Sequence, residues 1–223
     1  MATTRLEIYN GALLICQERA ISSLSVNEEP RYLLDNVWNA RGVRFCLEQG
    51  QWRFGMRATK QTYDPAVTPA FGYQKAFPKP TDWIDTSAVC SDPYFNTPLL
   101  QYADEVGYWF SDLEDIYVKY VSDDVTFGAN LALWPESFTE YVKHYFAGKI
   151  CGKMTGGERL VERLLGPAGH PEKGEVHAAL VRAKNRDAMA GPTTFPARGA
   201  WVGSRFGGHT NRWDRGNPGQ LIG

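Results

Sequence analysis

The spacing of apolar residues divides the chain into two helical portions separated by a segment with a different period. Residues 3–19 and 29–51 carry apolar side chains three and four positions apart, and this spacing returns after residue 134. Thr3 or Thr4 is placed to cap the first helix, and Pro30 and Gly50 mark the ends of a second helix of about six turns. The short polar link between them predicts an antiparallel pair.

The second helical portion begins near Trp134 and is expected to stop at the glycine pair 156–157. Residues 158–165 and 175–189 continue the helical pattern, with an interruption at residues 166–174. Together the two portions predict a mainly α fold, a four-helix-type bundle with a small antiparallel β region inserted in it.

The inserted region has the alternation and the proline content of short strands. Apolar and polar residues alternate from Trp52 to Thr59, and six prolines between residues 63 and 98 exclude a long helix. Residues 99–110 and 116–121 are predicted to form a hairpin around the SDLED turn at 111–115. The expected organisation is a first half-bundle at 1–58, a β-rich insertion at 59–131, a second half-bundle at 132–190 and an extended C-terminal arm at 191–223.

Charge separates the insertion from the arm. Residues 59–131 contain eleven acidic and four basic residues, whereas residues 191–223 contain one acidic and four basic residues. Glycine-rich termini are often disordered in isolation, but large aromatic side chains among arginines are typical of interface anchors. We therefore expect an arm that orders on a partner. Its candidate anchors are Trp201, Arg205, Phe206, Arg212, Trp213 and Arg215.

The sequence contains no pattern typical of a catalytic or metal site. The four cysteines have no close pair, three of them lie on or beside apolar helical stripes, and the four histidines are scattered. The glycine-lysine segment at 148–155 lacks the spacing of a phosphate-binding loop, and the acidic residues lack the register of a calcium loop. We predict no enzyme activity, no cofactor and no metal. No apolar run is long enough to cross a bilayer, which predicts a soluble, unsecreted protein.

Several short motifs resemble the tail tubular protein A family of short-tailed phages. The resemblance covers most of the chain and is strongest in residues 6–56. It continues through the helical half from Trp134. The motifs are YNGAL at 9–13, SSL at 22–24, EPR at 29–31, CLEQGQWRF at 46–54, PKPTDW at 78–83, AMAGP at 188–192, WV at 201–202 and LIG at 221–223.

This resemblance implies a structural virion protein, a head-to-tail adaptor. Such proteins look like helical bundles with an inserted β region that assemble as a ring, commonly of about twelve subunits, between the portal protein and the tail nozzle protein. The implied location is the virion, at the head-tail interface, after assembly in the host cytoplasm. DNA would pass through the ring without specific binding, and no membrane would be involved. The acidic insertion would face the nozzle or the channel, and the arm would dock on the portal or on a neighbouring subunit.

Two other functions remain open at this point. The acidic residues of the insertion, with His144, would suit a tail-associated metal-dependent hydrolase, which should bind a divalent ion. The basic arm would suit a DNA-binding module, whose affinity should fall with added salt.

Overall fold

The computed structural model describes residues 3–105, 107–154 and 157–191, and it assigns Met1–Met189 to one compact unit. Within these residues the chain forms six α-helices and two three-stranded antiparallel sheets, with 43% of the residues in helix and 19% in strand. The architecture is mixed α/β. The prediction of a mainly α four-helix-type bundle is therefore wrong.

The first helix, α1, spans Arg5–Ile15 and begins as the sequence indicates. Thr4 accepts a hydrogen bond from the backbone N–H of Glu7, and the Glu7 carboxylate accepts one from the backbone N–H of Thr4, which forms a capping box. The helix ends earlier than the expected Arg19, and Gln17 adopts a left-handed conformation.

The long helix predicted over residues 29–51 is two helices. Helix α2 spans Glu29–Asn39 and α3 spans Gly42–Glu48. Arg41 between them has φ 62° and ψ 32°, a left-handed conformation that ends α2. The bend also brings Gly42 close to α2, since a Cβ at Gly42 would lie 2.7 Å from the carbonyl oxygen of Val37. Helical spacing of apolar residues on both sides of Arg41 does not reveal this break.

The second helical portion follows its prediction closely. Helix α4 spans Glu136–Met154, α5 spans Glu158–Leu165 and α6 spans Glu175–Met189. Helix α4 is buried along much of its length and contacts each of the other five α-helices of the described chain, so it forms the centre of the helical layer.

Six strands form the two sheets, and in each sheet the strands lie in an order that differs from their order along the chain. The strands are β1 (Met56–Thr62), β2 (Lys75–Pro78), β3 (Trp83–Cys90), β4 (Ala103–Glu105), β5 (Tyr108–Ser111) and β6 (Asp115–Ser122). One sheet has the order β1-β6-β3 and the other β2-β5-β4. The alternation that predicted a strand at residues 52–59 continues into β1, but Arg53–Gly55 forms a short 3-10 turn before it.

The predicted hairpin of residues 99–110 and 116–121 is wrong in its pairing. Strand β5 pairs with β2 and β4, whereas β6 pairs with β1 and β3. The SDLED segment therefore carries the chain from one sheet to the other. Alternation within each strand is a local property, but the choice of partner depends on residues distant in the sequence.

The sheet β1-β6-β3 belongs to the same core as the helices. Val121 of β6 and Ile84 of β3 are buried with Leu13, Phe138 and Phe146 of the helical layer. A second core joins the two sheets and contains Phe77, Val89, Trp109, Ile116, Val118 and Tyr120. The β region is thus a structural layer with a core of its own, which is why a four-helix description fails.

None of the helices in the described part of the chain is both long enough and apolar enough to span a membrane.

Candidate functional site

The arm residues predicted to anchor a partner lie outside the described residues. These are Trp201, Arg205, Phe206, Arg212, Trp213 and Arg215. Within the described part, two features hold polar or charged side chains in buried or partly enclosed positions. One is a joint around residues 78–83, and the other is an open groove between α1 and α4.

The joint is built from the motif PKPTDW at residues 78–83, whose side chains contact strands of both sheets. Asp82 accepts hydrogen bonds from Arg57 Nη1 at 2.9 Å, from the Tyr120 hydroxyl at 3.2 Å and from the Ser122 hydroxyl. Its side chain is 13% exposed, and Tyr120 and Ser122 are fully buried. One carboxylate therefore links the 80–83 turn to β1 and β6.

The ionisation of this group follows from its neighbours. Burial alone would raise the pKa of Asp82, but the hydrogen bonds from Ser122 and Arg57 outweigh it and hold the pKa below its usual value. Burial, together with the charge of Asp82, raises the pKa of Tyr120 to about 12. At neutral pH the pair is therefore a carboxylate that accepts a hydrogen bond from a neutral phenol.

Lys79 of the same motif closes the space between the two sheets. Its ammonium group forms an ion pair with Asp104 and lies 3.8 Å from the centre of the Trp83 ring, and its side chain is only 6% exposed. The hydroxyl of Thr86 accepts the indole N–H groups of Trp83 and Trp109, at 3.1 and 3.0 Å, and donates to Asp104 at 2.7 Å. These contacts join β3 to β4 and β5.

The geometry of β3 explains how Trp83 and Thr86 reach each other. Residues three apart on a regular strand point to opposite faces. Strand β3 has register shifts against β6 between Trp83 and Asp85 and again between Thr86 and Ala88. An extra residue in a strand redirects the side chains that follow it.

Helix α3 is attached to the same place by Arg44. Its guanidinium donates to the backbone oxygen of Trp83 at 2.7 Å and forms an ion pair with Asp123. The joint therefore holds the helical layer and both sheets together.

A second charged network holds α1 against α2. Asp35 accepts hydrogen bonds from Arg5 at 2.6 Å, from the Tyr9 hydroxyl at 2.9 Å and from Arg31 at 2.7 Å. Burial raises the pKa of Tyr9 far above its usual range. The helical pattern of residues 29–51 does not reveal this network, because Arg5 and Tyr9 come from another helix. The spacing of Arg31 and Asp35, four residues apart, was the available signal.

Most of the acidic residues considered for catalysis are held by neighbours on the protein. Asp104, Glu114, Asp115 and Asp123 each form an ion pair with a lysine or arginine. In the described ranges no group of three or more histidine, cysteine or acidic side chains is arranged to hold a metal ion. His144 lies on α4, beside a cleft lined by Glu136, Glu140 and Arg182 rather than by acids of the β region.

The four cysteines are buried, as the sequence predicts for the three on helical stripes. Burial raises the pKa of Cys16 to about 11 and raises that of Cys46 further. A thiol with a raised pKa has little thiolate at neutral pH, so these side chains fill the core and are poor nucleophiles.

The open groove runs between α1 and the first half of α4 and has a volume of about 640 Å³. Leu6, Gly11, Leu14 and Ala20 supply its apolar lining, and Leu14 is 76% exposed. Glu7 and Glu136 lie at its edge with Lys143, whose ammonium group pairs with Glu140 at 2.5 Å. No sequence pattern pointed to this groove, because it depends on how the two helices pack.

Thr139 lines the same groove. Its side chain is 1% exposed, and its hydroxyl has no hydrogen-bond partner among the described residues. A buried hydroxyl without a partner costs stability in the isolated chain. Thr139 therefore leaves a buried polar atom beside the groove that no described residue satisfies.

Comparison with known proteins finds no family model that matches this chain and no curated protein with significant sequence similarity to it.

Proposed function

We propose that this protein is a structural head-to-tail adaptor of a short-tailed phage, which forms a ring between the portal and the tail nozzle and continues the DNA channel. The proposal begins from the motifs that resemble the tail tubular protein A family. Its main support is the position of those motifs in the fold. Tyr9 and Arg31 meet at Asp35, while Lys79, Asp82 and Trp83 form the joint of helices and sheets.

Residues with these roles suit a scaffold that transmits force between assemblies. An enzyme concentrates its distinctive residues in a cleft with perturbed acids and bases. Here the distinctive residues connect layers, and the carboxylates among them are engaged by arginine, lysine or hydroxyl groups. That distribution favours an adaptor over the metal-dependent hydrolase.

Large exposed side chains at both the helices and the β loops also support a protein with several partners. Phe71, Tyr94 and Leu100 on the β loops are 91%, 81% and 88% exposed, and Leu14 and Met189 on the helices are each 76% exposed. Apolar side chains at different faces suit contacts with a neighbouring subunit, a portal and a nozzle.

The direct test mixes the purified full-length chain with assembled portal protein from the same virus and images the particles by electron microscopy. We expect a ring of this protein on one face of the portal. A variant lacking residues 199–223 should stay folded and fail to attach. Portal particles that remain bare in the presence of excess full-length protein would overturn the proposal.

A titration with divalent metal ions separates the adaptor from the hydrolase. The adaptor needs no ion, so calorimetry with Mg²⁺, Mn²⁺ or Zn²⁺ should give no saturable binding, whereas stoichiometric binding would favour the hydrolase.

A further inference from the structure

We propose that the groove between α1 and α4 is the receptor for the arginine- and tryptophan-bearing segment 198–215 of a second copy of this chain. The inference deepens the adaptor proposal, on which it rests for the need to self-associate. It names the surface that one subunit offers and the segment that its neighbour inserts.

The first argument is chemical fit in the apolar part of the groove. Leu6, Gly11, Leu14 and Ala20 leave an open volume of about 640 Å³ with an exposed leucine at its side. The segment 198–215 contains Trp201, Phe206 and Trp213. A large ring of this type buries much apolar area with few rotatable bonds, which makes it an efficient anchor for such a space.

The second argument is the unpartnered hydroxyl of Thr139. An indole ring carries one N–H donor, and it is otherwise apolar. The groove combines apolar side chains with one buried oxygen that lacks a partner within the described residues. Because Thr139 is only 1% exposed, an indole N–H would reach that oxygen as the groove opens slightly around the ring, whereas a phenylalanine or leucine would leave it unpaired.

The third argument is charge. Glu7 and Glu136 border the groove, and Glu136 is 79% exposed. The single lysine there, Lys143, pairs with Glu140 at 2.5 Å and with Glu136 at 3.6 Å, so together with Glu7 three carboxylates lie near one ammonium group and the rim keeps a negative charge. The segment 198–215 carries four arginines and one aspartate. Arginines flanking the aromatic anchors would therefore meet carboxylates at the rim, which favours association and selects the orientation of the segment.

The groove is tested with a fluorescently labelled peptide of residues 198–215 and the full-length protein at low concentration and low salt, by fluorescence anisotropy. We expect saturable binding that weakens with added salt. Leu14→Lys, which removes an apolar contact and adds a like charge, should weaken binding by about tenfold or more. The matched control is Val125→Lys, at a side chain that is 75% exposed on a β loop, and it should leave binding unchanged.

Thr139→Val separates recognition from a structural role. Removing an unpaired buried hydroxyl should leave the stability of the subunit unchanged or raise it, while binding of the peptide weakens. A peptide in which Trp201 and Trp213 are replaced by leucine should bind less tightly to the wild-type protein. It should lose nothing further on Thr139→Val, because the N–H donor is already absent.

Three outcomes would overturn the inference. They are failure of the peptide to bind the full-length protein, equal binding to Leu14→Lys and to the wild type, and additive effects of Thr139→Val and the tryptophan substitutions. A peptide that binds only to the portal would also overturn it, and the adaptor proposal would stand. Bare portal particles in electron microscopy, with normal peptide binding, would remove the adaptor proposal and leave the groove assignment intact.

Discussion

Asp82→Asn should destabilise the folded chain strongly because this carboxylate is the acceptor for three donors at the joint. Arg57, Tyr120 and Ser122 all donate to it. Asparagine has the same shape, but its single side-chain oxygen cannot replace two carboxylate oxygens, and its amide N–H₂ group would face donors. At least one hydroxyl would lose its partner.

The magnitude follows from the burial of those hydroxyls. Tyr120 and Ser122 are both 0% exposed, so neither can turn to water. A buried donor left unpaired costs about 1–3 kcal/mol, and loss of the charge that assists the Arg57 bond adds about 1 kcal/mol. Arg57 itself is 39% exposed and stays hydrated, which limits its share. We expect a loss of about 2–4 kcal/mol in the free energy of unfolding.

Urea unfolding at pH 7, followed by tryptophan fluorescence, measures this difference. Stability lost at the joint should lower the midpoint without changing the slope of the transition. Glu114→Gln is the matched control, because Glu114 also forms an ion pair, with Lys75 at 2.5 Å, but is 74% exposed. That variant should lose less than about 0.5 kcal/mol. Should Asp82→Asn lose under about 1 kcal/mol with an unchanged slope, the joint would not be held by this carboxylate.

Three further predictions concern the backbone, pH and thiol reactivity. Arg41→Gly should raise the free energy of unfolding by about 0.5–1 kcal/mol, because glycine adopts the left-handed conformation without strain; a lower thermal midpoint would contradict this. The folded-state pKa of Asp82 is depressed, so its stabilisation is present above the unfolded pKa of about 3.9 and is lost as pH falls through the folded value. The stability difference between wild type and Asp82→Asn should therefore shrink between pH 7 and pH 3, and a constant difference in urea titrations would refute the assignment. All four buried thiols should react with a thiol reagent at pH 7 only at the rate of unfolding, measured by absorbance with and without urea; fast native reaction would show that they are accessible.

Helices were predictable from this sequence wherever the periodic stripe and the caps agree. Thr4 caps α1, and the stripes of α4, α5 and α6 lie close to the expected positions. The break at Arg41 was not predictable, since a non-glycine residue in the left-handed region leaves the apolar spacing on each side intact. The spacing of apolar residues indicates which face of a helix is buried. It does not indicate that the backbone changes direction at one residue between two such helices.

Strand partners and the joint were less predictable, for a related reason. The alternation of β6 correctly indicated a strand, yet its pairing with β1 and β3 depends on residues 25 or more positions away. Asp82 was visible only as part of a motif, and its donors Arg57, Tyr120 and Ser122 come from β1 and β6. Contacts of this kind appear only once the topology is fixed.

Under the proposed function, the joint and the groove would meet two requirements of an adaptor in separate parts of the chain. The joint uses the carboxylates of Asp82, in the turn before β3, and of Asp104 in β4, which are held by basic and hydroxyl groups, whereas the groove lies between α1 and α4. They share no residue, so changes in the groove should alter affinity for a neighbour with little effect on the fold at the joint. Such a division suits a protein that has to remain one folded body before a partner is available and then gain contacts. The hydroxyl of Thr139, which has no partner among the described residues, fits the same proposal, because its cost would fall on the free chain and would be removed when a donor arrives.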